Sequence, residues 1–277
     1  MAEPWWEGPG GMELWFPKWA QNGRVRAACF GRSGGVSEKP WDSLNTGFHV
    51  EDDPARVTVN RMRCTRVLGG NLEDWVMAQQ VHGQQVVRVT AKDRGRGAFT
   101  AADSVPGADG LVTNIPGLTL GILAADCVPV LFYDSHRAAV GVAHSGWKGT
   151  VGHVVREVVS VMKQSFDTRP SDLNVYLGPS IRQCCYEIGS GVADVVSEEF
   201  GSSVLIPSGR IVGTPEHFLL SLQACIRSDL MDCGVPEEQI EDVGQCTACH
   251  PNHFFSYRRS SGRTGRLVSV IRLVRED

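Results

Sequence analysis

The sequence lacks any apolar run of 18 or more residues, which excludes a helical membrane span. It also lacks an excess of one charge. Against 31 Asp and Glu stand 27 Lys and Arg, a net charge of -4, so the chain carries no electrostatic footprint for nucleic acid. There is no internal repeat and no low-complexity linker. A multicopper oxidase needs roughly ten imidazoles, usually in His-x-His pairs; this chain has eight histidines and no such pair. Ser145 sits in "HSGWKG", which is not the G-x-S-x-G elbow of a serine hydrolase. The opening "MAEPWWEGPGGMELWF" is acidic and broken by Pro and Gly, unlike a signal peptide.

What is present fits a globular enzyme: 277 residues, 42% hydrophobic and 21% charged, enough to bury a substantial core. Nine cysteines, an odd number, in a chain without an export signal point to a reducing compartment and mostly reduced thiols, so the expected location is cytoplasmic. Residues 1–20 are expected to be a loosely ordered leader, with Met12 an alternative start, and 21–277 a single catalytic domain.

Gly31 to Val57 reads as loop, rich in Gly, Ser, Pro, Asn and Asp. "VTVNRMRCTRVLGG" has helical spacing and a stop at Gly69–Gly70. "QQVVRV", "LTLGIL", "VPVLFYD", "AAVGVA", "LNVYLG" and "RLVSVIRLV" are short, branched and apolar, and read as buried strands. Apolar residues at 151, 154, 155, 158, 159 and 162 predict an amphipathic helix, and "PEHFLLSLQACIRSDLMDCG" predicts another ending at Gly234. Strands and helices intermix without regular alternation, so the expected class is α+β, one layered domain of mixed β-sheets packed against helices.

Cys127 begins one apolar run and His144, 17 positions later, ends the next. If these runs form a hairpin through Asp134–Ser135–His136–Arg137, the two groups converge at one rim of the sheet. His82, in "QQVHGQQ", also stands before a strand. Two imidazoles and a thiolate make a three-ligand zinc set with a fourth position left for water or substrate. Each alone is more often a satisfied core residue, and spacing leaves both readings open. "CTACH" (Cys246 to His250) matches the haem-attachment pattern and half a zinc finger. Haem attachment requires export, and a finger separates its Cys and His pairs by about a dozen residues, so a turn near the active site is expected instead. Adjacent Cys184 and Cys185 are expected to be structural. "HSGWKGT" ahead of a helix is a weak anion-site signal, with Lys148 adding charge.

"GGVSEKPWDSLNTGFHVEDD…VNR", "QQVHG", "ADG…AADCVPV", "AHSGWKGT", "GPSIRQCCYEIG" and "CTAC…FFSYRR…GR" together resemble the successive motifs of the YfiH-like family, also called the laccase-domain, polyphenol-oxidase or purine nucleoside phosphorylase family. The resemblance spans roughly residues 24 to 273 in the family's order. It implies a metal site on His82, Cys127 and His144 that doubles as the catalytic centre, and a toxin-like layered α+β fold. It also implies phosphorolysis of purine nucleosides (inosine, adenosine, guanosine, methylthioadenosine) with inorganic phosphate, and deamination of adenosine. Some bacterial members are linked instead to peptidoglycan editing, and older descriptions make them copper oxidases.

The expected cofactor is Zn2+, with copper as a substitute because Cu(II) outcompetes zinc at most nitrogen and sulfur sites. Zinc suits deamination by bringing the pKa of water towards 7. Phosphorolysis needs an anion held beneath the sugar. Arg61 is the candidate phosphate clamp through its bidentate guanidinium. Asn45 is a candidate for ribose or base, and Phe255 and Arg258 for bordering the purine and its phosphate. The chain is expected to act as a monomer or weak homo-oligomer. The rival reading is a Cys127–His144 amide hydrolase acting on cell-wall peptide, with no metal.

Overall fold

The computed structural model describes residues 5–208 and 217–275. Two six-stranded sheets lie face to face. The first runs, in spatial order, Trp5–Gly8, Met12–Trp15, Val25–Phe30, Leu267–Leu273, Thr119–Ala124, Trp75–Met77; only its last pair is parallel. The second runs Ile240–Asp242, Leu173–Leu177, Val128–Asp134, Ala139–Ser145, Gly110–Thr113, Val86–Arg88, antiparallel in the middle and parallel at both edges. A small sheet of Glu187–Gly189, His217–Leu220 and Leu205–Pro207 stands beside them.

The central strands are apolar on both faces because both faces are covered. Between the sheets, Leu120, Ile122 and Ile271 pack against Leu131, Val142 and Tyr176. Behind the second sheet, Val130 and Phe132 meet Val155, Val158 and Met162 of helix Val154–Phe166, together with Ile226 and Leu230 of helix Leu222–Asp232. Behind the first, Phe30 and Val270 meet Cys64 and Leu68 of helix Pro54–Leu68. The result is the layered α+β arrangement expected from the sequence, and no helix among the described residues is long and apolar enough to cross a membrane.

Three expectations change. The leader, from residue 5 onward, is an edge hairpin of the first sheet, because Met12, Leu14 and Trp15 find buried positions against it; residues 1–4 lie outside the described residues. The helix expected from residue 151 is divided: a short helix Trp147–Val151 ends at Gly152, and His153, at φ 59, turns the chain into Val154–Phe166. The helix expected over "PEHFLLSLQACIRSDLMDCG" is a strand followed by a helix. His217–Leu220 pairs on both sides, Ser221 then caps Leu222–Asp232 by accepting from the Ala224 N–H, and Pro215 and Glu216 lie outside the described residues.

Candidate metal centre and active site

The hairpin from Val128–Asp134 to Ala139–Ser145 is antiparallel with Pro129 opposite His144 and Val128 opposite Ser145. Its turn is fixed by Asp134, whose Oδ1 accepts from the His136 and Arg137 N–H groups. Cys127, one residue before the first strand, therefore arrives beside His144 near the end of the second. His82 comes from the loop after Trp75–Met77. Gln80 ties that loop to strand Thr119–Ala124 as a peptide group would, donating to the Leu123 carbonyl at 2.7 Å and accepting from its N–H at 2.8 Å. The donor atoms of His82, Cys127 and His144 all lie within 4.8 Å of one another.

Asp109, which sequence reasoning did not single out as a site residue, organises the trio. Its carboxylate is fully buried and accepts from three successive backbone N–H groups, Val81 at 3.1 Å, His82 at 3.0 Å and Gly83 at 2.7 Å. It also pairs with His144 Nδ1 at 2.8 Å, which places the imidazole proton on Nδ1 and leaves Nε2 to act as a ligand. Burial opposes the Asp109 charge, but these donors hold its pKa below the ordinary carboxylate value. Burial also works against the Cys127 thiolate; the neighbouring His144 and His82 outweigh it and bring the thiol down to about 6.

The two elements meet closely because Gly146 has no side chain. A Cβ there would stand 2.9 Å from Cys127 Sγ and 3.0 Å from His82 Nδ1. His82 (φ 59) and Asp126 (φ 94), which precedes Cys127, both hold left-handed backbone, a cost that clusters at functional sites. Soft thiolate plus two imidazoles, one fixed by a carboxylate, fit a zinc- or copper-type ion with a coordination position left open.

The trio lies on a cavity of about 810 Å³. Of the substrate candidates, Arg61, Lys148 and Arg258 line it. Arg61 is buried, with its guanidinium donating to the Thr46, Gly97 and Ala98 carbonyls and stacked over Phe48. Desolvation lowers its pKa to about 9 and leaves it cationic at neutral pH. Lys148 is exposed on the short helix, and Arg258 donates to the Glu187 carbonyl beside Tyr186.

Asn45 and Phe255 are both fully buried and do not line the cavity. Asn45 closes a turn through Gly47 and binds Asp52 and the Arg266 N–H, which uses its amide on the protein itself. Phe255 packs in the inter-sheet core under Arg32. The cavity adds His49 and Tyr186, which sequence reasoning missed, and Arg266, the end of the basic run "YRRSSGRTGR". Desolvation, then the charges of Arg266 and Arg61, push the His49 imidazole down to about 4, so it is neutral.

A family model described as multi-copper polyphenol oxidoreductase laccase matches residues 26–274. A relative named purine nucleoside phosphorylase YlmD, from Bacillus subtilis, is 40% identical over 262 residues, covering 93% of each chain. A second, named adenosine deaminase RL5, from an unknown prokaryote, is 32% identical over 83% of this chain and 87% of its own. Among solved structures, Bacillus licheniformis YfiH aligns with a TM-score of 0.91 at 36% identity, over 98% of this chain and all of that one. The chain belongs to this laccase-like, YfiH family.

Proposed function

We propose that this chain is a metal-dependent purine nucleoside phosphorylase, cleaving inosine, adenosine and related nucleosides with inorganic phosphate, and that the same site deaminates adenosine. The observation that carries the reading is the carboxylate-oriented His82–Cys127–His144 trio opening on a cavity walled by cations, Arg61, Lys148, Arg258 and Arg266. Relatives named as purine nucleoside phosphorylases and one named as an adenosine deaminase support it.

His82, Cys127 and His144 would hold a zinc ion; when bound, it supplies Lewis acidity that activates water or polarises substrate. The other steps belong to the protein. Arg61 is held rigidly by three carbonyls, so it presents its charge to phosphate without reorganising. Lys148 and Arg258 add positive charge from the other walls of the cavity. Phosphate oxygen attacks C1′ as the C1′–N9 bond breaks, and the bonding pair leaves with the purine. Tyr186 and Tyr257 border the cavity and offer aromatic faces to the base, while neutral His49 can exchange a hydrogen bond with the nucleoside.

The Asp109–His144–Cys127 series also has the layout of an amide-hydrolase triad, with Asp109 orienting the base and Cys127 as nucleophile. That favours cell-wall peptide cleavage as the second reading. A multicopper oxidase finds less support, since among the described residues only His49, His82 and His144 supply imidazoles to the cavity.

The deciding experiment incubates metal-quantified protein with inosine and adenosine, each with and without phosphate, and separates base, ribose 1-phosphate and deaminated nucleoside. Phosphate-dependent hypoxanthine release, abolished by His82→Ala or Cys127→Ala, is expected. Inosine as the sole product from adenosine reduces the reading to a deaminase. No turnover of either nucleoside rejects the purine reading in favour of the peptide hydrolase.

A further inference from the structure

Two cysteine pairs far apart in sequence meet beside the cavity wall. Cys184 and Cys185 follow strand Leu173–Leu177; Cys246 and Cys249 follow strand Ile240–Asp242. The partner of the C-x-x-C pair is therefore an upstream Cys-Cys pair, with Cys185 64 residues before Cys249. All four Sγ atoms lie within 4.8 Å of one another, with Cys184 to Cys249 at 3.6 Å and Cys185 to Cys249 at 3.4 Å.

Four thiolates arranged tetrahedrally at about 2.3 Å from one zinc stand about 3.8 Å from each other. The observed separations are close to that shell and far from the roughly 2.05 Å of a disulfide. A cluster of several irons needs its sulfurs spread around a larger core than one ion. Thiolates select zinc or other soft ions over calcium and magnesium.

The two loops are already fixed for this. Ser180 and Cys246 form a parallel bridge, with the Ser180 N–H on the Gln245 carbonyl and the Thr247 N–H on the Ser180 carbonyl. Arg182 grips Asp242 through two bonds of 2.8 and 2.9 Å. Each pair sits at a tight turn, the Cys185 N–H bonding the Arg182 carbonyl and the His250 N–H the Cys246 carbonyl.

We propose that Cys184, Cys185, Cys246 and Cys249 bind one Zn2+ in a closed, all-thiolate structural site that clips together the two loops forming one wall of the cavity. These loops carry Ile181, Tyr186, Tyr257 and Arg258, all of which line it. They also grip Asp126, the residue preceding Cys127. Thr247 Oγ1 donates to its Oδ1 at 2.6 Å, the Arg258 N–H to its Oδ2 at 2.7 Å, and its carbonyl accepts from the Ile181 N–H at 2.8 Å. The clip therefore holds the left-handed backbone from which Cys127 projects.

The test counts zinc per chain by elemental analysis in full-length protein, as wild type, Cys249→Ser and His82→Ala. Cys249→Ser is expected to lose close to one zinc per chain and to keep the ion that His82→Ala loses. On the wild type, which needs no variant to fold, alkylation with peptide mapping gives a second readout. Cys184 and Cys249 are exposed, so they should react at once if unligated and resist until a chelator is added if they hold zinc. Unchanged zinc in a folded Cys249→Ser variant overturns the proposal. So do immediate alkylation of both exposed thiols, a disulfide among the four, and iron in place of zinc. None of these readouts depends on nucleoside turnover.

Discussion

Replacing Asp109 by Asn tests whether the metal centre is built from its carboxylate outward. In the wild type, Oδ2 accepts from the Val81 and Gly83 N–H groups and Oδ1 from the His82 N–H and His144 Nδ1. Asn keeps the shape but turns one acceptor into a donor: with the amide nitrogen in place of Oδ2 the Val81 and Gly83 N–H groups lose their partner, and with it in place of Oδ1 the His82 N–H does. At about 1–3 kcal/mol for each buried donor left unsatisfied, one or two such donors should cost roughly 1–6 kcal/mol of stability. For a chain of this size that lowers Tm by on the order of 10 °C. The effect on metal binding is separate. With the amide nitrogen facing His144 Nδ1, the imidazole proton moves to Nε2 and removes the ligand lone pair. Loss of such an orienting partner weakens metal affinity about 10–100-fold. Chelator competition and thermal melts on the same preparation measure both. If Asp109→Asn melts with the wild type and holds zinc as tightly, the carboxylate does not organise the site and the reasoning fails.

Gly146→Ala should weaken zinc binding at least about tenfold, since its Cβ would press on Cys127 Sγ and His82 Nδ1; Gly191→Ala, whose Cβ meets nothing within 4 Å, is the control that should change neither metal content nor Tm downward. Asn45→Ala should cost about 2–4 kcal/mol in denaturant unfolding by stranding the Gly47 and Arg266 N–H groups, with KM for nucleoside unchanged; a raised KM at unchanged stability would return Asn45 to the substrate. In metal-free protein, burial opposes the Cys127 thiolate but the two histidines favour it, so the thiolate forms as pH rises through about 6 rather than the ordinary 9.0. Its alkylation rate should therefore be half-maximal near pH 6, and a rate that climbs only near 9 would show that the two histidines do not stabilise the thiolate.

The central strands were legible because sheets covered on both faces need continuous apolar runs, and "VPVLFYD" and "AAVGVA" have no other stable use. The hairpin between them followed from their spacing, and it converted 17 residues of separation into the Cys127–His144 contact. The N-terminal hairpin was hidden for the opposite reason. Its Pro and Gly residues resemble a loose tail, and only the edge of a sheet closed by Leu267–Leu273, the last strand in the chain, gives Leu14 and Trp15 somewhere to be buried. The break at Ser221 was equally hidden, since "HFLLSL" has enough apolar residues for either helix or strand, and the pairing partners that decide it are remote.

At the site, what sequence reveals depends on how rare a residue's chemistry is. A Cys or His at a strand end stands out because few such positions need one, whereas Asp109 in "ADG" looks like any turn aspartate. Its role exists only once three N–H groups of the 81–83 loop have folded around it. Arginines invert the problem. "YRRSSGRTGR" advertises charge, yet within it Arg259 spends a donor on the Ala248 carbonyl while Arg258 and Arg266 reach the cavity, and the buried Arg61 reaches it from helix Pro54–Leu68, outside that run. The four cysteines show the limit most clearly. Each pair alone is an ordinary doublet, and the separations that make them one ion's shell come from a parallel bridge between Ser180 and Cys246 that no local pattern encodes. Metal sites assembled from two distant halves are thus legible in sequence only as unexplained fragments, and the fragments that a family's known chemistry leaves unused are where a second site should be sought.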